Sequence, residues 1–117
     1  NKNEVSMLVK VLKSKIENIR ITEANLQYIG SITIDIGLME TVNFIEGEKV
    51  GIFNITNGEE LYTYIINGER DSGVIGLNGP SSRKMAVGDR IIIASYASID
   101  SEIAGSFKPA VINAADY

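Results

Sequence analysis

An Asn57-Gly58 pair between two short apolar runs is the feature that most limits what this chain can fold into. The run from Lys49 to Thr56 and the run from Leu61 to Ile66 are both rich in β-branched and aromatic residues, which favour strands. An Asn-Gly pair accepts the positive φ angles that a tight hairpin turn requires. The sequence therefore predicts that the two runs form an antiparallel β-hairpin.

The rest of the chain consists mainly of similar short apolar runs separated by turn residues. Residues 36–43 differ, because Leu38, Met39 and Val42 have helical spacing and predict one short helix. A second helical turn is expected to end near Met85. Strands are predicted at 7–14, 32–34, 74–77, 91–97 and 107–112. Many short strands with little helix indicate a mainly β domain, a closed or nearly closed small barrel.

Length and charge narrow the class of protein further. The 117 residues suit a single domain over 1–117, with the polar residues 1–6 expected to be an extension ahead of a start at Met7. The formal charge of −4 comes without a basic cluster, which argues against nucleic acid as a partner. No apolar run is long enough to span a bilayer and no signal peptide is recognisable. We therefore expect a cytoplasmic protein with no membrane partner.

The chain contains neither cysteine nor histidine, and this excludes several kinds of catalysis. Disulfides, thiol nucleophiles and a Ser-His-Asp triad are impossible, and a zinc site would have carboxylate ligands only. We expect no metal. Any covalent chemistry must use Ser, Thr, Lys, Tyr or a modified backbone.

The pair Gly30-Ser31 places a small nucleophile directly after a glycine. Glycine has no Cβ, so a nucleophile can approach its carbonyl from either face, and glycine tolerates the strained backbone that this requires. The Ser31 hydroxyl is thus a candidate to attack the peptide bond that precedes it. Gly-Ser pairs are also common in ordinary turns, so the surrounding sequence must decide between the two interpretations.

That surrounding sequence resembles the pyruvoyl-dependent aspartate 1-decarboxylases over nearly the whole chain. The similarity lies in several separate blocks that occur in the family's order, which is more specific than any one block. The blocks are Met7-Leu8, Leu12-Lys13-Ser14-Lys15-Ile16, Tyr28-Ile29-Gly30-Ser31-Ile32-Thr33-Ile34-Asp35, Asn57-Gly58, Thr63-Tyr64, Leu77-Asn78-Gly79-Pro80, Val87-Gly88-Asp89 and Ile91-Ile92-Ile93-Ala94-Ser95-Tyr96.

The resemblance implies a fold, a cofactor and a reaction. The fold is a six-stranded double-psi β-barrel with one or two short helices, assembled as a homotetramer with active sites between neighbouring subunits. Self-cleavage between Gly30 and Ser31 converts Ser31 into a covalent pyruvoyl group, which replaces pyridoxal phosphate as the electron sink for decarboxylation. The implied substrate is a small amino acid, L-aspartate, converted to β-alanine and CO₂ for pantothenate biosynthesis. Whether cleavage needs a maturation partner is left open.

Five further residues match positions with known roles in the family. Thr63 matches the threonine that stabilises the oxyanion during self-cleavage, and Tyr64 the tyrosine that protonates the decarboxylated product. Asn78 matches an asparagine near the pyruvoyl group, Lys15 a lysine that contacts the substrate carboxylate, and Tyr28 a residue lining the site. Each also has an ordinary structural interpretation as a strand or turn residue. Thr63 and Tyr64 would face opposite sides of a regular strand, so a shared site predicts an irregularity there.

Two positions depart from the family pattern, and both carry acidic side chains. Glu17 stands where the family has a histidine, and Glu60 where it has the arginine that binds the substrate carboxylate. Arg20 or Arg83 could replace that arginine only if the fold brings it to the site. We therefore keep Glu17 and Glu60 as candidate substrate-binding residues. Two alternatives stay open, namely a paralogue that acts on a different amino acid and a non-catalytic barrel paralogue that assembles without turnover.

Overall fold

The structure is a computed structural model and describes residues 7–26, 30–79 and 84–116. These ranges contain eight strands, two short α-helices and a final 3₁₀ turn over Ala114–Asp116. The strands are β1 (Leu8–Arg20), β2 (Glu23–Asn25), β3 (Ser31–Asp35), β4 (Lys49–Asn54), β5 (Glu60–Gly68), β6 (Ile75–Asn78), β7 (Arg90–Asp100) and β8 (Ala110–Asn113). The helices are α1 (Ile36–Thr41) and α2 (Ser101–Ala104). No helix in the described ranges is long and apolar enough to cross a membrane.

The strands form one sheet that closes on itself. Its order is β2-β6-β3-β5-β4-β7-β1-β8, so β1 and β2 lie near opposite ends although only Ile21 and Thr22 separate them in the chain. The Thr22 amide donates to the Ile75 carbonyl at 2.8 Å, which continues the wall from β1 into β2 beside β6. If β1 and β2 are counted together as one strand of the wall, the closed barrel has six strands. Strand β8 pairs with β1 and is not one of the six. The predicted fold class, a mainly β six-stranded double-psi barrel with short helices, is confirmed.

The predicted hairpin is confirmed as β4 and β5. The two strands pair antiparallel from Lys49↔Tyr64 to Phe53↔Glu60 without a register shift. Their connection is longer than a two-residue turn, and only Gly58 within it has positive φ, at 78°. The Asn57 side-chain oxygen accepts a hydrogen bond from the Glu59 amide at 2.9 Å, which shapes the loop locally.

Several element boundaries differ from the sequence prediction. The first strand runs to Arg20 rather than to residue 14, because register shifts between Leu12 and Ser14 and between Ile16 and Ile19 let it bend around the barrel. Helix α1 agrees with its prediction, whereas α2 was not predicted. Most of the helical turn expected to end near Met85 lies outside the described residues.

The barrel interior is filled mainly by isoleucine. In strands such as β5 and β7 alternate residues point inward, and β-branched side chains pack well on such a surface. Fully buried members include Ile16, Ile32, Ile34, Ile52, Ile65, Ile75, Leu77, Ile91 and Ile93. Because Ile32 and Ile34 face inward on β3, the alternating residues Ser31 and Thr33 face away from the apolar core.

Two serine hydroxyls are buried within this interior without a hydrogen-bond partner in the described structure. Ser14 of β1 and Ser95 of β7 lie directly opposite each other, and both are 0% exposed. An unsatisfied buried hydroxyl costs free energy that an alanine would not. We therefore expect Ser95→Ala to raise the free energy of unfolding by about 1 kcal/mol in urea titrations. Ser98→Ala, at an exposed position of the same strand, is the control and should change little; a destabilised Ser95→Ala variant would contradict the prediction.

A buried carboxylate at the end of β3 fixes the strand that begins with Ser31. Asp35 is 5% exposed and accepts backbone N–H groups of Gly37 at 2.7 Å, Asp71 at 3.1 Å and Gly73 at 2.8 Å. Burial by itself raises the pKa of the Asp35 carboxyl, but these donors outweigh it and hold the pKa below its ordinary value of 3.8. The ionised side chain therefore ties β3 to the start of α1 and to the loop before β6.

Asp35→Ala is expected to destabilise the fold by about 2 kcal/mol or more at neutral pH, because it removes a helix cap and leaves several amides unsatisfied. The folded pKa is lowered, so this stabilisation is complete above the unfolded pKa and is lost as the pH falls through the folded value. The midpoint temperature of thermal unfolding should thus fall more steeply below pH 4 for the unmodified protein than for the variant. Asp100→Ala, which removes the cap of α2 with its single bond to Glu102, should cost less. Equal costs would contradict this assignment.

Candidate active site

Ser31 is buried at the first position of β3 and is held by an asparagine of the neighbouring strand. It is 3% exposed and pairs with Asn78 of β6, whose side-chain amide donates to the Ser31 Oγ at 3.0 Å. The same amide nitrogen lies 2.9 Å from the Thr33 Oγ1. Asn78 thus orients two hydroxyls on the outer side of β3. Thr33 was not among the predicted residues, although its position two residues after Ser31 in a strand places it on the same face.

Gly30 precedes this cluster and is exposed. No atom beyond its chain neighbours lies within 4 Å of the position that a Cβ would occupy. Packing among the described residues therefore does not demand glycine at this position. Tyr28, predicted to line the site, lies outside the described residues.

Thr63 and Tyr64 lie on the strand next to Ser31 and face opposite sides. Strand β5 runs parallel to β3 with Ile32 opposite Ile65. The pairing begins there, and the same register continued backwards would bring Tyr64 beside Ser31 and Thr63 beside Gly30. Thr63 is 5% exposed and Tyr64 54% exposed. The expected irregularity is absent from the β4–β5 pairing.

Lys15 and Glu17 form a separate group on strand β1. The Lys15 side chain points out of the barrel between the inward-facing Ser14 and Ile16, and its Nζ lies 3.0 Å from the Oε1 of Glu17, which follows Ile16. Strands β7, β4 and β5 stand between β1 and β3 in the sheet order. In the other direction around the closed barrel, β6 alone lies between the strand of the wall formed by β1 and β2 and strand β3. The partner of Lys15 in the described structure is Glu17, and the pair lies on a different strand from Ser31.

Glu60 begins β5 opposite Phe53 and is exposed. It lies four residues before Tyr64, about 13 Å along the strand, on the same face. Glu59, its neighbour, lies 4.0 Å from the Lys84 ammonium. Arg20, considered as a substitute for the missing arginine, instead donates to the Gly88 carbonyl at 3.4 Å. The alternative substitute Arg83 lies outside the described residues.

A surface groove of about 460 Å³ lies elsewhere on the barrel. Lys10, Lys49, Tyr62 and Tyr96 contribute to its walls, and the Lys49 ammonium sits 5.9 Å from the centre of the Tyr62 ring. None of the predicted site residues lines it. The size of this groove is therefore a poor guide to the chemistry, and the hydroxyl–amide cluster of Ser31, Thr33 and Asn78 is the better candidate site. Within the described ranges, no group of three or more acidic side chains is arranged to hold a metal ion.

The fold and the cluster define a small closed β-barrel with a buried serine after a glycine at the start of one strand. The aspartate decarboxylase family model matches residues 7–117, and the chain belongs to this family. It is 57% identical over 106 residues to the aspartate 1-decarboxylase of Cytophaga hutchinsonii, covering 91% of this chain and 92% of the relative. The Phocaeicola vulgatus aspartate 1-decarboxylase is 58% identical, with 91% of each chain covered.

Among solved structures, the chain is similar to the computationally designed msDPBB_sym2 protein, with a TM-score of 0.46 and 14% sequence identity. The similarity covers 73% of this chain and 96% of the designed one.

Proposed function

We propose that this protein is a self-processing, pyruvoyl-dependent aspartate 1-decarboxylase that converts L-aspartate to β-alanine and CO₂. The relatives named above are aspartate 1-decarboxylases that align over about nine-tenths of the chain. The observation that carries the proposal is the buried Ser31 hydroxyl, held at 3.0 Å by Asn78 directly after Gly30. We further propose that residues 7–117 fold as one domain, interrupted only by the cleavage.

The residues around Gly30-Ser31 fit the formation of a pyruvoyl group from Ser31. The Ser31 Oγ would bond to the Gly30 carbonyl carbon as the peptide C–N bond breaks, which converts the amide into an ester. Thr63, beside Gly30 in the register, would donate its hydroxyl to the oxygen on which negative charge develops. Elimination of the Gly30 carboxylate, followed by addition of water and loss of ammonia, would leave the pyruvoyl terminus and two chains.

In the mature enzyme the pyruvoyl group would supply the electron sink for the loss of CO₂. The side chains of this protein would do the rest. Tyr64, next to the modified Ser31 position and on the outer face, would deliver the proton that replaces CO₂ on the product carbon. Asn78 would continue to orient groups at the start of β3. Lys15 would bind a substrate carboxylate.

We propose that the protein assembles as a homotetramer, with the last role shared between copies of the chain. Lys15 and Ser31 lie on different strands, and in the tetramer a neighbouring copy would supply the Lys15 group to the Ser31 cluster. A barrel of this size also gains stability from association, because a small domain buries a limited core. The proposed location is the cytoplasm, and a maturation partner for the cleavage is compatible with this scheme.

One specific observation supports a second candidate function. Glu17 already neutralises Lys15, and Glu60 stands where the family arginine would attract a dianionic substrate. An anion in place of a cation in a partly desolvated site turns attraction into repulsion. An amino acid with a neutral or cationic side chain would suit such a site better than aspartate.

Intact mass under denaturing conditions, combined with a β-alanine assay, tests the proposal. We expect one fragment ending at Gly30 and a heavier one beginning with a pyruvoyl group, together with β-alanine formation from aspartate. A cleaved protein that ignores aspartate but decarboxylates another amino acid would favour the second candidate. A chain that stays whole after prolonged warming would indicate a non-catalytic paralogue or one that awaits a maturation partner.

A further inference from the structure

The Lys15 ammonium already has an anionic partner within its own strand. Glu17 lies two residues further along β1, so both side chains project from the same face, and their charged atoms are 3.0 Å apart. The two side chains are 30% and 35% exposed, which leaves both within reach of a ligand. An anion that approaches Lys15 must therefore displace the Glu17 carboxylate or share the ammonium with it.

The other nearby lysine of β1 cannot take over this task. Lys13 is bound to both carboxylate oxygens of Glu48, at 2.9 and 3.1 Å, and to the Asn43 carbonyl at 2.5 Å. Strand β8 pairs with this part of β1. It places Val111 opposite Lys15 and Asn113 opposite Glu17, and neither Val111 nor Asn113 is charged. The local charge of the Lys15–Glu17 group is therefore close to zero.

We propose that Glu17 acts as an internal competitor for Lys15 and thereby weakens the binding of a substrate's side-chain carboxylate. This inference rests on the proposed function, in which Lys15 contacts the substrate. It makes Glu17 a residue that sets affinity for dicarboxylates without touching the reacting bond. A half-exposed ion pair is worth little compared with a buried one, so the competition should change affinity by about two- to tenfold.

The test is Glu17→Gln, which removes the charge and keeps the shape of the side chain. In the processed enzyme, we expect the KM for aspartate to fall by about two- to tenfold, a larger change than that in kcat. Succinate, a dicarboxylate without a reacting amine, should bind more tightly to the variant by the same factor in calorimetry. The matched control is Glu40→Gln, which breaks the exposed Glu40–Arg70 pair at 2.7 Å on α1 and should change neither value.

The two readouts separate this inference from the proposed function. If the unmodified protein is cleaved and uses aspartate but Glu17→Gln leaves the KM unchanged or raises it, the competition is overturned and the function stands. If the unmodified protein never decarboxylates aspartate, the proposed function is refuted. Succinate binding then still tests whether Glu17 competes for Lys15. Tighter binding by Glu17→Gln than by the Glu40→Gln control would support the competition, whereas equal or weaker binding would refute it.

Discussion

Ser31→Ala is expected to leave the chain whole and to abolish decarboxylation completely. Alanine has no hydroxyl to attack the Gly30 carbonyl, so neither the break after Gly30 nor the pyruvoyl terminus can form. The Asn78 amide keeps Thr33 as an acceptor at 2.9 Å, which limits the damage to the fold. Intact mass should give a single species, and aspartate should yield no β-alanine above background.

The chain offers a matched control for this variant, because it contains a second Gly-Ser pair. Gly105-Ser106 lies in the turn after α2, where the exposed Ser106 hydroxyl donates to the Ile103 carbonyl at 2.9 Å. Ser106→Ala should be cleaved after Gly30 like the unmodified protein and should retain activity. Cleavage of the Ser31→Ala chain at Gly30 would overturn the proposed chemistry, and a loss of cleavage in Ser106→Ala would show that the assay reports misfolding.

The two Gly-Ser pairs also show why local sequence could not identify the site. Gly30-Ser31 and Gly105-Ser106 have the same letters, and what differs is the partner that the fold supplies. Asn78 reaches Ser31 through the β3–β6 pairing, 47 residues along the chain. No periodicity in the sequence encodes such a long-range pairing, so the role of Asn78 came from the family resemblance alone.

Local features, by contrast, were sufficient for much of the fold. The hairpin of β4 and β5 was predictable because its turn residues and strand formers are adjacent in the chain. The full length of β1 was not, since its continuation past residue 14 depends on irregularities that follow from curvature around the core. One of these is Asn18, with a positive φ of 61° next to the second register shift. Its side-chain oxygen accepts a hydrogen bond from Arg90 at 2.9 Å, a contact across 72 residues.

How Lys15 and Ser31 are arranged relative to each other could not be predicted from the sequence. The resemblance assigns both residues to one site, whereas in the structure they lie on different strands, β1 and β3. A comparison of sequences carries no information about which copy of the chain supplies a residue to a site. It therefore cannot distinguish a site within one chain from a site between two chains. In the proposed tetramer, a neighbouring copy would supply Lys15 to the Ser31 cluster. Substrate bound between the copies would then lie near exposed outer-face residues such as Tyr64.

Tyr64→Phe is expected to separate maturation from turnover. In the proposed chemistry self-cleavage relies on Ser31 and Thr63, so the variant should still give two fragments. Decarboxylation of aspartate should fall by about 10²- to 10⁴-fold, the usual contribution of a positioned general acid, because phenylalanine keeps the ring but has no proton to donate. Fragment masses and β-alanine formation measure the two effects on one sample.

Tyr62→Phe is the control for the loss of a phenol from this surface. Tyr62 lies two residues before Tyr64 on the same face of β5, and the two are 55% and 54% exposed. Its ring packs edge-on against Phe53 at 6.2 Å, a contact that phenylalanine preserves, so activity should stay within about twofold. Full activity in Tyr64→Phe would exclude its phenol as the proton donor. An uncleaved Tyr64→Phe chain would instead assign that phenol to maturation, because the only group removed is the hydroxyl.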